Sequence, residues 1–180
     1  LGSSCRKLGH LAALINRHGY ELLQEKGIAF SLLLPQALKE THIPASRRRD
    51  LYLIIKEALH NIMRHSGASE ASVQFRADCR RLYCTIGDNG NGFDASRTHA
   101  GNGLTNMKRR AGAIMGSLKI VSSPGNGCVL LLTVPLRPMW YPAWLLRSRR
   151  DALVATQGLA PEAPSQPAHA AQRAKAPAVV

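Results

Sequence analysis

The stretch Glu57-Ala-Leu-His-Asn61-Ile-Met-Arg64-His65 decides how this chain is read. With about 100° of turn per residue, Leu51, Ile55, Ala58, Leu59 and Ile62 fall on one apolar stripe of a helix. Glu57, Asn61 and Arg64, at i, i+4 and i+7, line up elsewhere on it. One face is for packing and the other presents a carboxylate, a carboxamide and a guanidinium. The first two offer oxygen ligands to a hard cation, and the third offers a fixed positive charge to a phosphate.

Working outward, Pro44 and Ser46 precede this helix, with Ser46 expected as its N-cap and residues 36–45 as a loop. Arg47-Arg-Arg49, which opposes the helix dipole slightly, reads as a solvated charge run, with a docking surface as the alternative. Further upstream, apolar residues recur at helical spacing from Ser4 to Glu25 and stop at Gly27, after which Ile28 to Leu34 reads as a buried strand ended by Pro35. His10 and His18 on the first helix are read as surface or packing residues. Downstream, Ser66-Gly67 ends the central helix. Ala71, Val73, Phe75 and Ala77 then alternate with polar neighbours, and Asp78 to Arg81 turn into a partner strand, Leu82 to Ile86. A third helix is marked by Leu104, Met107, Ala111, Ile114 and Met115, and Ser117–Ser122 with Cys128–Val134 form a closing hairpin. The expected fold is an α/β (α+β) two-layer sandwich, a mixed five-stranded sheet covered on one face by three helices.

Composition narrows the class. A chain of 180 residues that is 45% hydrophobic can bury one sizeable core. No apolar run approaches the roughly 18 to 20 residues of a membrane span, and no secretory signal pattern is present. The chain opens at Leu1 and is read as part of something longer. Its four cysteines show no zinc or disulfide spacing and read as reduced cytosolic thiols. The net charge of +13 attracts polyanions in general without choosing among them. Residues 1–136 carry 18 Lys and Arg against 9 Asp and Glu and are expected to form the globular domain. Residues 137–151 read as an apolar and basic linker, in which the aromatics of Met139 to Leu146 cap the domain or meet a membrane surface or a partner. Residues 152–180, with ten Ala and four Pro, read as a disordered tail.

Two glycine-rich segments complete the pattern. In Asp88-Asn-Gly90-Asn-Gly92-Phe93 the glycines allow backbone to approach a ligand, and Asp88, an acceptor only, suits an exocyclic amine such as that of adenine. Gly101-Asn-Gly103 directly before a helix offers free N–H groups and a helix dipole to an anion. Either segment alone is weak evidence, but their order after the acidic-amide helix, with Pro124-Gly-Asn-Gly127 before a final strand, makes a four-part nucleotide pattern.

These segments resemble those of the Bergerat-fold ATPases, the sensor histidine kinases, gyrase B and their relatives. The wording is most similar to histidine kinases of the nitrate-sensor type, with their E-A-L-x-N-x-x-[KR]-H, D-N-G-x-G-F and G-x-G-L-x-N-M-x-x-R-A segments. They stand here as Glu57 to His65, Asp88 to Phe93 and Gly101 to Ala111. The resemblance implies ATP and magnesium as cofactors. It gives Asn61 to the magnesium, and Glu57 to a ligand water or to proton removal, while Arg64 and His65 meet the phosphates. Asp88 would hold the adenine amine above Gly90 and Gly92, with Gly101, Gly103 and Leu104 as hinge and cover and Arg97 to Gly101 as a short lid. Cys128 stands where the family often has threonine, which implies weaker adenine binding.

No acceptor histidine in an acidic context is present, so the resemblance implies a catalytic domain that transfers the γ-phosphate only when a dimerisation helix is supplied. Alone it would hydrolyse ATP slowly at most. A response regulator and a homodimer through helices outside these residues are the implied partners, and no specific nucleic acid is expected. The implied location is cytoplasmic, on the inner face of the membrane where the longer protein is an anchored sensor. Two alternatives share the pattern: a protein-serine kinase of the anti-sigma-factor type, and a non-catalytic nucleotide-gated binding module.

Overall fold

The computed structural model describes residues 7–94 and 102–136. The expected linker, tail and lid, and Gly101, lie outside the described residues. In chain order the elements are α1 (Leu8–Gln24), β1 (Ala29–Leu33), α2 (Ala45–Asn61), β2 (Glu70–Ala77), β3 (Arg81–Asp88), α3 (Asn102–Ala113), β4 (Ser117–Ser122) and β5 (Cys128–Pro135). The strands make one sheet of order β1-β2-β3-β5-β4, parallel between β1 and β2 and antiparallel elsewhere. A parallel pair needs a crossover, and α2 supplies it. The three helices and the mixed five-stranded sheet form the expected α/β sandwich.

Period-two alternation decides which face of the sheet is covered. Val73 pairs with Ile86, Ile86 with Leu130, and Leu130 with Ile120, so one row of apolar side chains crosses four strands under the helices. Phe75, Cys84, Leu132 and Leu118 make the next row. Leu51, Ile54, Ile55, Ala58 and Leu59 of α2 lie above them, all fully buried, so α2 is the central helix of its layer. At the flanks, α1 buries Leu8, Leu11, Ile15 and Leu23, and α3 buries Met107 and Ala111. Among the described residues nothing covers the opposite face, where Leu33, Val121 and Leu131 are exposed.

Several local expectations change. β1 is an edge strand of alternating exposure, not a buried one, because β2 pairs with it on one side only and no helix among the described residues covers its outer face. The cap of α2 is not Ser46. Pro44 occupies that position in an extended conformation, its carbonyl accepts from the Arg48 N–H at 2.9 Å, and no side chain caps the helix. The arginine run is not wholly solvated either. Arg47 is only 9% exposed, and its guanidinium donates to the Pro135 carbonyl at 2.7 Å. Its stem lies in a niche of Ile43, Leu51, Leu82 and Val134, so apolar packing and one backbone acceptor together make burial of the charge tolerable. α3 begins at Asn102, which puts Gly103 inside its first turn, and it stops at Ala113 before Met115, whose φ of 57° is left-handed.

His18 is a packing residue with an unusual neighbourhood. Its ring centroid lies 5.5 Å from that of His60 and 6.3 Å from that of Tyr52, across the seam between α1 and α2, and its Nε2 is buried without a hydrogen-bond partner. Burial lowers its pKa, and Lys56 and His60 lower it further against an opposing pull from Glu21. The unfolded chain therefore takes a proton more readily than the folded one. His18 favours the fold above its ordinary value of about 6.5 and loses that contribution as pH falls through it. Melting curves at pH 7.5 and pH 5 should show a smaller acid-induced drop in Tm for His18→Leu than for wild type. An equal drop would place the acid sensitivity elsewhere.

Candidate functional site

A helix that buries one stripe can present the other to a cleft, and α2 does so at its C-terminal end. Beyond Asn61 the helix widens into a π turn over Ile62–Ser66, closed by Gly67 at φ 60°. Such turns cost regularity and are frequent where side chains must be re-aimed. Here the turn carries Arg64 and His65, both exposed, to the rim of the same cavity that Glu57 and Asn61 line. The Ser66 hydroxyl donates to the Ile62 carbonyl at 2.7 Å and accepts from the Ala68 N–H at 3.0 Å, which ties the end of the turn.

The facing wall is the end of the sheet. Asp88 is the last residue of β3, opposite Cys128 of β5. The loop beyond it is laid against two other backbones. The Asn91 N–H donates to the Ser66 carbonyl at 2.7 Å, and the Gly125 N–H donates to the Asn91 carbonyl at 2.6 Å. The Phe93 N–H donates to the Ser122 hydroxyl, which in turn donates to the Gly127 carbonyl. Asn89 clamps the entry to β2, its Oδ1 accepting from the N–H groups of Ser69 and Glu70. A Cβ on Gly90 would run into the Ser66 carbonyl, and one on Gly92 into the carbonyls of Ser123 and Gly127. These two glycines are required by close approach, and Gly92 also by its φ of 58°.

The two walls enclose a cavity of about 590 Å³. Glu57, Asn61, Arg64, His65, Asp88, Gly92, Gly103 and Leu104 all line it. Gly90 is behind the wall, buried against Ser66, and Gly101 lies outside the described residues. Phe93, Ser66, Cys128 and Leu130 also line the cavity. Phe93 and Cys128 stand within or beside segments already singled out. Leu130 and Ser66 gave no separate signal, since one reads as an ordinary strand residue and the other as a helix stop.

Burial sets the electrostatics of the sheet wall. Burial raises the Asp88 pKa, and the backbone N–H groups of Gly90 and Cys128 pull it partly back, the former at 2.9 Å. The Cys128 thiol is pushed up by burial and by the Asp88 charge. An acceptor held half out of water gains most from a ligand that donates to it. At the other wall, the missing Cβ of Gly103 would lie 2.6 Å from Glu57 Oε1 and 3.8 Å from Asn61 Nδ2, so α3 brings bare backbone onto the acidic-amide pair.

Two stability outcomes follow from these contacts. Because the folded pKa of Asp88 lies above the ordinary carboxylate value, its ionised form costs stability at neutral pH, and that cost fades as pH falls through the folded value. Asp88→Asn should therefore leave the ligand-free Tm at pH 7 equal or higher, and a clear decrease would mean that the carboxylate is structural. Gly90→Ala should lower stability by roughly 2 kcal/mol or more in denaturant titration, since neither the Ser66 carbonyl nor the loop can move aside cheaply.

Residues 46–138, just over half of the chain, match the family described as histidine kinase-, DNA gyrase B-, and HSP90-like ATPase. Sensor histidine kinase LiaS of Bacillus subtilis (strain 168) is 34% identical over 102 residues, which are 56% of this chain and 28% of that protein. Sensor histidine kinase YxjM of the same organism is 40% identical over 99 residues, 55% of this chain and 24% of that protein. The signal transduction histidine-protein kinase/phosphatase DegS of Brevibacillus brevis is 32% identical over 87 residues, 48% and 22% of the two chains. The matched part thus spans about a quarter of the length of these relatives. Among solved structures, the histidine kinase domain of the Erythrobacter litoralis EL346 blue-light-activated histidine kinase aligns at a TM-score of 0.60 with 15% identity, covering 70% of this chain and 65% of that one. The Acinetobacter baumannii histidine kinase AdeS aligns at 0.59 with 14% identity, covering 71% and 64%. These structural likenesses bear on the fold, and the sequence match bears on the family: the chain belongs to the histidine kinase-, DNA gyrase B-, and HSP90-like ATPases.

Proposed function

We propose that residues 1–136 are the ATP-binding catalytic domain of a two-component sensor histidine kinase of the nitrate-sensor type. The observation that carries this reading is the single cavity in which the acceptor Asp88 on the sheet wall faces Glu57 and Asn61 on the helix wall. Asp88 accepts the adenine amine, and a donor there relieves the carboxylate of its desolvation. Cys128 beside it offers a weak thiol donor in place of a hydroxyl, which fits modest affinity for the base. Arg64 and His65 at the rim meet phosphate charge, and the first turn of α3 with Gly103 and Leu104 brings backbone and helix dipole to the same region. Gly101 would complete that approach.

The donor set on α2 fits magnesium. The Asn61 carboxamide oxygen and the Glu57 carboxylate are hard ligands about one helical turn apart, and a magnesium site commonly takes one or two protein oxygens beside phosphates and water. When bound, magnesium would neutralise charge on the phosphates. Asn61 is the ligand proposed, and Glu57 orders a ligand water or accepts the proton of the attacking group. Transfer to histidine requires an acceptor helix supplied by the longer protein, as a homodimer, with a response regulator as the onward partner. The sensor names of the relatives and their greater length support that arrangement. No helix among the described residues is long and apolar enough to cross a membrane. We place this domain on the cytoplasmic side of such a sensor.

Calorimetric titration with a non-hydrolysable ATP analogue, with and without magnesium, tests the reading. Asp88→Asn should weaken binding at least tenfold, and Asn61→Ala should abolish the magnesium enhancement while leaving magnesium-free binding in place. No binding by wild type at millimolar nucleotide would overturn the assignment.

A further inference from the structure

Two contacts between α2 and α3 share a spacing that the site chemistry does not explain. At one end of the seam, Gly103 brings its backbone onto Glu57, with the position of a Cβ only 2.6 Å from Oε1. At the other, the Arg110 guanidinium meets the Asp50 carboxylate at 3.1 Å, with both side chains largely shielded. Gly103 and Arg110 are seven residues apart on α3, and Asp50 and Glu57 are seven residues apart on α2. Seven residues are two turns, about 10.5 Å of helix. The helices therefore run antiparallel along this seam, matched at both ends. Along the seam from Arg110 and past Glu57 to Arg64 runs a groove of about 390 Å³, with Leu53, Lys56, Asn106 and Met107 in its middle, so side-chain packing leaves part of the seam open.

A helix that is not fully packed along its length can slide or tilt unless something sets its register. The buried side of α3 is short, with Met107, Ala111 and the following Ile114 as its buried apolar anchors. We infer that Asp50 and Arg110 are positioning residues that lock α3 in register on α2 and thereby hold the Gly103 turn over Glu57 and Asn61. The pair touches no nucleotide. It acts through α3, and it acts on one wall of the cavity only, since Asp88 and its loop are held by hydrogen bonds to Ser66 at the end of α2, to Ser122 and to the turn at Gly125, none of which lies on α3. The inference rests on the nucleotide reading and adds to it a division of the site: contacts at the phosphates depend on the ion pair, and contacts at the base do not.

The division is measurable. In wild type and in Asp50→Asn, Arg110→Met and the exchange Asp50→Arg with Arg110→Asp, affinities for the non-hydrolysable ATP analogue with magnesium and for adenosine would be read by NMR titration of the labelled protein. Each single variant should weaken the triphosphate by roughly tenfold and change adenosine less than twofold, and the exchange should recover much of the loss. Hydrogen exchange at the first-turn amides of α3 should quicken in the single variants without any nucleotide. Equal losses for both ligands would make the pair a general structural contact, and unchanged affinities with unchanged exchange would make it dispensable. Either result overturns the inference while leaving the nucleotide reading intact. If wild type binds no triphosphate, the nucleotide reading fails first and the inference with it.

Discussion

The end of α2 and the loop after β3 can share a wall only because backbone meets backbone there. Gly90 lies on the Ser66 carbonyl at a distance no Cβ would allow, and the neighbouring Asn91 N–H bonds to that same oxygen. The loop is pressed from the other side by the turn of the closing hairpin, with positive φ at Gly92 in the loop and at Gly125 and Gly127 in the turn. Three segments far apart in sequence are thereby joined through main-chain groups, which resist displacement better than side chains do. Everything that lines the cavity is referred to this joint, because it sets how far Asp88 stands from α2.

The site holds the Asp88 carboxylate at a cost to the fold. Asp88 is partly desolvated with two backbone donors as compensation, and the raised pKa records the imbalance. Glu57 and Asn61 sit on a helix whose opposite stripe is fully buried, so they cannot rotate away from the cleft without exposing Ile55, Ala58 and Leu59. A partly desolvated acceptor and polar side chains pinned by a well-packed core are the expected arrangement where a ligand completes the structure. The π turn belongs to the same pattern, since it gives up a regular ladder to turn Arg64 and His65 toward the cavity rim.

Much of the architecture was legible locally. Strand faces followed from alternation in Ala71 to Ala77, and the helix stripe of α2 from its apolar spacing, because each buried face leaves a period in the sequence. Glycines marked where chain reversals and close approach occur, though not which backbone they would touch. Edge and cap features were harder to read. Ile28 to Leu34 is apolar enough for a central strand, yet it is an edge strand, since strand order depends on pairings across the chain. Arg47 looked like its neighbours Arg48 and Arg49, and only the arrival of the Pro135 carbonyl beside it separates a buried donor from a solvated charge.

By itself the sequence determined most of the elements, the alternation that gives the sheet a covered face, and the three segments expected to make the site, since periodicity and special backbone residues are local properties. Only the tertiary structure decided that those segments line one cavity, that Gly103 falls within the first turn of α3, that a π turn redirects Arg64 and His65, and that Asp50 meets Arg110 sixty residues away. The reason is physical. Local sequence sets conformational preference, whereas distances between segments come from packing, and packing is settled by every element at once.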